Sequence, residues 1–352
     1  MNNPYVPRVE RLNQGKPLIE RISAHPWESK VTFNPACTLV TNKDELNTIT
    51  ARLPVDESTK QVLLKHSALC FVVYRAQGQK TEAYDYTHSS LGLAVCDPHL
   101  NVLVRLNEPV LRPHEHYENL GAEDPRITRV GVDYIMTYTA YATGKPQNRM
   151  CIAVASTNTF VEWRKHGLLK GNLNQIDNKN AMLFEEPIDG EYWMLHRPME
   201  GTDAMAIHWA ESGDLFGEWK SRGVLMKALP NPKFKDTWIG GGAPPLRLPD
   251  GRFLILYHIG NRAADGSHEY DLGLALFDAR HLQKIVKRVE PLLRPETPAE
   301  TVGDKELGVN NVVFVCGAYF FEGDLIFPYA GADSVVLGGK ISRAELDRFI
   351  HS

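Results

Sequence analysis

The chain repeats itself, and the length of the repeat limits the possible folds more than any other feature. Residues 154–169, VASTNTFVEWRKHGLL, align without a gap on 210–225, AESGDLFGEWKSRGVL, matching Ser156 with Ser212, Phe160 with Phe216, Trp163 with Trp219 and Gly167 with Gly223. A second pair joins 92–113, GLAVCDPHLNVLVRLNEPVLRP, to 273–295, GLALFDARHLQKIVKRVEPLLRP, with one residue inserted. A fainter copy, LGGKISRAEL, begins near Gly338. Five such units recur every roughly 55 to 65 residues, the range of propeller blades rather than of helical repeats. The expected fold is therefore all-β, a five-bladed β-propeller forming one domain over residues 1–352.

Each unit is preceded by two apolar runs around a Gly/Asp turn, as in PRITRVGVDYIMTYTAY, NAMLFEEPIDGEYWMLHRP, APPLRLPDGRFLILYHIG and NVVFVCGAYFFEGDLIFPYAG. That is the hairpin pattern. In the first unit the two runs, NPACTLV and ALCFVVYRAQG, are separated by a predicted helix, NKDELNTITARL. A second helix is predicted at the C-terminus, where Ser342 and Glu345 have capping-box spacing. The two repeated tryptophans read as packing on the outer part of a blade.

Composition excludes several function classes. A formal charge of −4 gives no basic field for nucleic acid or anionic lipid. No apolar run approaches the roughly 18 residues of a membrane span, and the polar start MNNPYVPRVERLNQGK has no apolar leader core. A cytoplasmic protein is the expectation. The five cysteines (Cys37, Cys70, Cys96, Cys151 and Cys316) lie mostly in apolar runs with no C-x-x-C pair, so buried free thiols are expected rather than disulfides or zinc. HEHYEN at 114–119 lacks further metal-ligand spacing and reads as a loop. GGGAPP at 240–245 lacks the Gly-Lys-Ser/Thr of a phosphate loop, which leaves close backbone packing at the channel.

Blade geometry gives GAEDPRI at 121–127 its meaning. If the first strand of a hairpin starts at the central channel and the second returns antiparallel, the start of one and the end of the other open on the same face. Strand starts then contribute Asn34, Glu123, Asp124, Arg126, Asn178 to Asn180, Gly240 to Gly242, Asn310 and Asn311. Strand ends contribute Tyr74, Arg75, Tyr138, His196, Arg197, Tyr257, His258 and Tyr329 to Asp333. Singly, an Asp-Pro pair is more often a turn and an arginine at a strand end a surface ion pair. Recurrence at equivalent places in successive hairpins favours a shared pocket of acids, cations, amides and rings, suited to a sugar beside an anion.

These residues resemble a known family. HPWESKVTFNPAC (25–37), GAEDPRI (121–127), NKNAMLF (178–184), MLHRP (194–198), GGGAPPL (240–246), YHIG (257–260), GLALFD (273–278) and NNVVF (310–314) look like the ordered motif set of glycoside hydrolase family 130, over nearly the whole chain. The resemblance implies a five-bladed propeller and an inverting phosphorylase of β-1,2- or β-1,4-linked manno-oligosaccharides, releasing α-mannose 1-phosphate. It implies Asp124 as proton donor through a sugar hydroxyl. Lys179, Arg197 and His258 would hold phosphate, and Asn34, Arg75, Arg126, Asn311 and Asp333 the sugar. No metal or cofactor is expected beyond phosphate as co-substrate. The expected partners are the oligosaccharide with phosphate, or mannose 1-phosphate in reverse, with neither nucleic acid nor membrane and a homo-oligomer left open. Lys179 stands where family members often carry arginine, and DKELGVN and FPYAGAD depart from the usual forms, which leaves linkage and acceptor open. Two rivals remain: a hydrolase on the same fold with Glu185, Glu186 or another acid as base, and a non-catalytic carbohydrate-binding propeller.

Overall fold

The computed structural model describes residues 4–80, 88–144, 149–201, 204–279 and 281–352. Its strands form five sheets in chain order, one per blade, antiparallel except where Lys170–Gly171 joins the outer strand of the third in parallel. Blade I comprises Val31–Val40, Leu69–Gln77, Ser90–Cys96 and Val102–Arg105; blade II comprises Gly121–Val130, Asp133–Ala142, Arg149–Thr157 and Arg164–Leu168. Blade III is built on Asn178–Leu183, Tyr192–Pro198, Ile207–Ser212 and Glu218–Met226, and blade IV on Asp236–Gly241, Phe253–Arg262, His268–Phe277 and Ile285–Leu293. The repeated sequence units are the third and outer strands with the turn between them.

Blade V shows how the ring closes. Its inner three strands are Val313–Val315, Asp324–Gly331 and Val335–Ile341, but its fourth is Glu10–Arg11, pairing antiparallel with the third in the register Glu10↔Lys340. The expected fifth unit thus runs from a third strand straight into the helix Arg343–His351 instead of a fourth strand. Joining the first and last parts of the chain in one sheet ties the ring shut, and no local pattern announces a two-residue strand.

The two inner strands of each blade are buried on both faces, which is why they read as nearly continuous apolar runs. In blade I every residue of Leu69–Tyr74 is buried. Neighbouring blades then pack through side chains, as where Phe71 of blade I stacks on Phe160 of blade II with centroids 4.6 Å apart. The repeat is imperfect here, since Phe216, the counterpart of Phe160, is 38% exposed and stacks on His166. Trp219 is buried and Trp163 partly buried, each donating its indole N–H to a backbone carbonyl of the same turn.

Both expected helices form. Lys43–Arg52 is capped by Asn42, which accepts from the Glu45 N–H, and Ser342 accepts from the Glu345 N–H. A further helix, Glu57–Leu63, follows the first. All five cysteines are buried and free. His116–Glu118 in HEHYEN forms a single 3₁₀ turn, and among the described residues no group of three or more His, Cys, Asp or Glu could hold a metal. No described helix is long and apolar enough to cross a membrane.

Candidate active site

Three inner strands break their own ladders at the same place. Pairing jumps from Phe33 to Ala36, from Glu123 to Arg126 and from Lys179 to Met182. The bulged residues are Asn34, Asp124 and Asn180, at φ 45°, 50° and 57°. Asn and Asp enter this left-handed region more readily than other side-chain-bearing residues, so the residue types at these positions follow from the backbone. A bulge re-aims a side chain, and here all three turn toward the propeller axis. Blade IV has glycines instead: a Cβ on Gly240 would lie 2.4 Å from His258 Nε2, so only a bare backbone lets that imidazole sit where it does.

The result is an axial cavity of about 280 Å³. Seven of the nine residues named from the sequence line it: Asp124, Lys179, Arg197, His258, Asn34, Arg75 and Asp333. Two do not. Arg126 is 1% exposed and donates from Nε to the Gly242 carbonyl, from Nη2 to Gly241 and from Nη1 to Asp124, at 2.8, 2.8 and 2.9 Å. Its fork is spent on the wall of the site, so it positions the Asp124 backbone rather than reaching a sugar. Asn311 lies outside the cavity lining, and its carbonyl accepts from the Tyr270 N–H at 2.9 Å.

Asp124 Oδ1 accepts from Asn34 Nδ2 at 2.7 Å and from Arg75 Nη1 at 3.0 Å. Arg75 also bonds Glu123 Oε1 at 2.6 Å and Ser89 Oγ at 2.8 Å. Burial pushes the Asp124 carboxyl up, but Arg75, Lys179 and Arg126 together with the Asn34 amide outweigh it and hold the group well below the usual carboxylate range. Asp333 goes the other way. Burial drives it up to about 7, with Arg75 and Lys179 opposing and Asp124 and Glu123 adding to the rise.

Opposite the acids, Arg197 Nη1 donates to His258 Nε2 at 3.1 Å. That bond requires an unprotonated Nε2, placing the imidazole proton on Nδ1. Burial and the surrounding Arg197, Arg126 and Lys179 charges keep His258 neutral. Burial also lowers Lys179, with Arg197 and Arg75 repelling it against the pull of Asp124, and brings Arg197 down to about 10. Two cations destabilised by desolvation, Arg197 buried and Lys179 half-buried, form a site that favours an incoming anion. The polar atoms Arg197 Nε, His258 Nδ1, Asn34 Oδ1 and both ends of the Asn180 amide are buried without a hydrogen-bond partner. A buried donor or acceptor left unmade costs about 1–3 kcal/mol, so the cavity is poised to bond a polar ligand.

The sequence reading did not single out the apolar side of the cavity, formed by Tyr270, Val309, Val312 and Phe314, with His268 beside them. Phe314 packs on His258 with centroids 4.4 Å apart. Tyr270 and His268 come from the third strand of blade IV, whereas the argument from strand starts and ends followed only first and second strands.

The raised Asp333 makes a stability prediction. Unfolded, an aspartate titrates near about 3.9; folded, it holds its proton to about 7. Between those values the folded state binds more protons, so its contribution is full below about pH 4 and is lost as pH rises through 7. Asp333→Asn removes this dependence. Its melting temperature relative to the unsubstituted protein should therefore climb between pH 4 and pH 8, and a constant difference would contradict the assignment.

Comparison with known proteins supplies the lineage. A family model described as beta-1,4-mannooligosaccharide phosphorylase matches residues 2–350. A 1,2-beta-oligomannan phosphorylase of a Thermoanaerobacter species is 30% identical over 331 residues, covering 94% of this chain and 95% of its own. A beta-1,2-mannobiose phosphorylase of the same source is also 30% identical, over 97% of this chain and 99% of its own. Among solved structures, the Listeria innocua beta-1,2-mannobiose phosphorylase in complex with beta-1,2-mannobiose superposes with a TM-score of 0.76 at 20% identity, covering 98% of this chain and all of that one. With its motifs, its propeller and a family match from end to end, the chain belongs to glycoside hydrolase family 130.

Proposed function

We propose that the protein is an inverting phosphorylase of β-mannosides, and that the β-1,2 linkage named for its relatives is its preferred one. The observation that carries this reading is one cavity holding both Asp124 and the Lys179, Arg197 and His258 group. Inverting cleavage needs a proton for the leaving oxygen and a nucleophile on the opposite ring face. Phosphate is already anionic, so it needs no second carboxylate base. It needs cations that hold it in line against its own repulsion.

In this reading a phosphate oxygen attacks the mannosyl anomeric carbon as the C–O bond to the acceptor sugar breaks, and the acceptor oxygen takes a proton from Asp124 through a sugar hydroxyl. The products are α-mannose 1-phosphate and the shortened acceptor. The bonds made and broken balance with phosphate as the one co-substrate. Asp124 must first gain its proton. A phosphate dianion seated on Lys179 and Arg197 cancels the field that keeps Asp124 ionised, which couples loading of the acid to binding of the nucleophile. Arg75 and Asn34 hold the carboxylate in place, while Asp333 and Asn180 contact the sugar. In the reverse direction the same site elongates a β-mannoside from mannose 1-phosphate. The unpaired cysteines fit a reducing compartment, the cytoplasm.

The hydrolase alternative loses its named bases. Glu185 and Glu186 are exposed on the turn after the inner strand of blade III, outside the cavity lining, and Glu186 pairs with Arg247 at the surface. The deciding experiment follows β-1,2-mannobiose with and without inorganic phosphate, detecting mannose and mannose 1-phosphate separately. Cleavage should require phosphate and give the phosphate ester. Equal turnover to free mannose without phosphate would refute the phosphorylase reading.

A further inference from the structure

Four blades secure the end of their second strand in one way. Tyr74, Tyr138, Tyr257 and Tyr329 donate to Glu28, Glu118, Glu290 and Glu300 at 2.8, 2.6, 2.7 and 2.7 Å. A cation from the outer strand, Arg105, Lys165, Arg288 or Arg11, pairs with the same carboxylate. In three of these blades the tyrosine faces a small residue on the third strand, Gly92, Ala153 or Gly273. The fit at the glycines is tight, because a Cβ on Gly92 or Gly273 would lie 2.4 or 2.3 Å from the tyrosine ring.

Blade III departs at each of these positions. His196 stands where the tyrosine should be, and His208 faces it in the small-residue position. Ser221 pairs with Ala210 as Arg105, Lys165 and Arg288 pair with Ala94, Ala155 and Ala275, so a hydroxyl replaces the cation. His196 instead meets the Asn178 amide at 3.0 Å and Ser221 Oγ at 3.1 Å. In place of a phenol, a carboxylate and a guanidinium, this blade has a cavity of about 440 Å³, within the range of about 300–1,000 Å³ common for small-molecule sites.

The place of this cavity is informative. Side chains alternate along a strand. Lys179 and Arg197 face the axial site, while their neighbours Asn178, His196 and Pro198 line the second cavity. The two cavities therefore lie on opposite faces of the same two strand ends. We propose that the second cavity is a carbohydrate-binding site that takes a neutral hexosyl unit, and the ligand's being a β-mannoside rests on the functional reading above.

The lining selects such a ligand. Among the described lining residues there is no lysine or arginine, and Glu200 is the one carboxylate, so an anion finds no fixed counter-charge there. Burial and the neighbouring His208 bring His196 down to about 3, which leaves its imidazole neutral. The described residues supply no metal-binding group. Asn172, Gln175 and Ser221 bring amide and hydroxyl groups that both donate and accept, as a ring of hydroxyls needs, while Asn178 and His196 are held by Leu173, Ser221 and each other. Gly223 adds an open wall, since a Cβ there would meet nothing within 4 Å.

The test is calorimetric titration of the full chain with β-1,2-mannobiose, alongside phosphorolysis kinetics. The unsubstituted protein should bind two equivalents. Ser221→Arg, which restores the cation of the other blades and fills the cavity, should abolish the second equivalent, with kcat/KM for mannobiose held within about twofold. Gln175→Ala, on an exposed turn, serves as the milder variant should Ser221→Arg fold poorly, and should weaken the second site at least tenfold. A single equivalent in the unsubstituted protein, or two unchanged equivalents in either variant, would overturn the proposal. The two readings fail separately. One equivalent with phosphate-dependent cleavage intact removes only the second site, whereas two equivalents without phosphate-dependent cleavage keep that site and remove the phosphorylase assignment.

Discussion

Asp124→Asn is expected to lower kcat for phosphorolysis of β-mannobiose by about 10²–10⁴-fold, the usual contribution of a positioned general acid. Asparagine keeps the shape, tolerates the left-handed backbone that Asp124 occupies, and still offers Asn34 and Arg75 an oxygen. Circular dichroism and the melting curve should therefore remain those of a folded propeller. The loss should also depend on the leaving group. An aryl mannoside whose departing oxygen needs little protonation should recover much of the rate, whereas a real oligosaccharide should not. A variant that cleaves mannobiose at the original rate would place the acid elsewhere, and Asp333, which keeps its proton to about pH 7, would be the next residue to test.

Arg197→Ala should act on phosphate instead. The guanidinium is buried, bonds His258, and leaves its Nε without a protein partner. Hydrogen bonds to charged groups contribute about 1.5–3 kcal/mol, so the KM for phosphate should rise about 10- to 150-fold while the KM for the sugar changes little. Arg197→Lys should restore charge but not the planar fork, giving an intermediate value. An unchanged phosphate response in the alanine variant would separate Arg197 from the nucleophile. A matching rise in both Michaelis constants would mean that the variant had collapsed the cavity.

Much of the candidate site was legible because it follows from repetition. Once a five-unit period places hairpins around an axis, Asp124, Lys179, Arg197 and His258 must approach one another however far apart they lie in the chain. Asn34 and Asp333 belong to the same argument. Arg126 misled because sequence gives the end of a strand but not which side chain the bulge after Glu123 turns inward. With Asp124 taking the axial direction, Arg126 is left to the Gly241 and Gly242 carbonyls. Tyr270, His268 and Phe314 were missed because nothing local distinguishes a residue lining a cavity from one packed in a sheet. The same holds for blade III, where His196, His208 and Ser221 look unremarkable until each is set beside its counterparts in the other blades.

The amino-acid sequence alone determined the five-bladed ring, the burial of the thiols and the gathering of acids and cations at one mouth. These depend on periodicity and residue type, which a chain carries at short range. Only the tertiary structure decided that residues 10 and 11 close the last blade, that the bulges aim Asn34, Asp124 and Asn180 at the axis, and that one blade keeps a cavity where the other four hold a tyrosine bonded to a glutamate. Ring closure, side-chain direction and empty volume all depend on contacts between distant segments, and those contacts have no energy until the chain has brought the segments together.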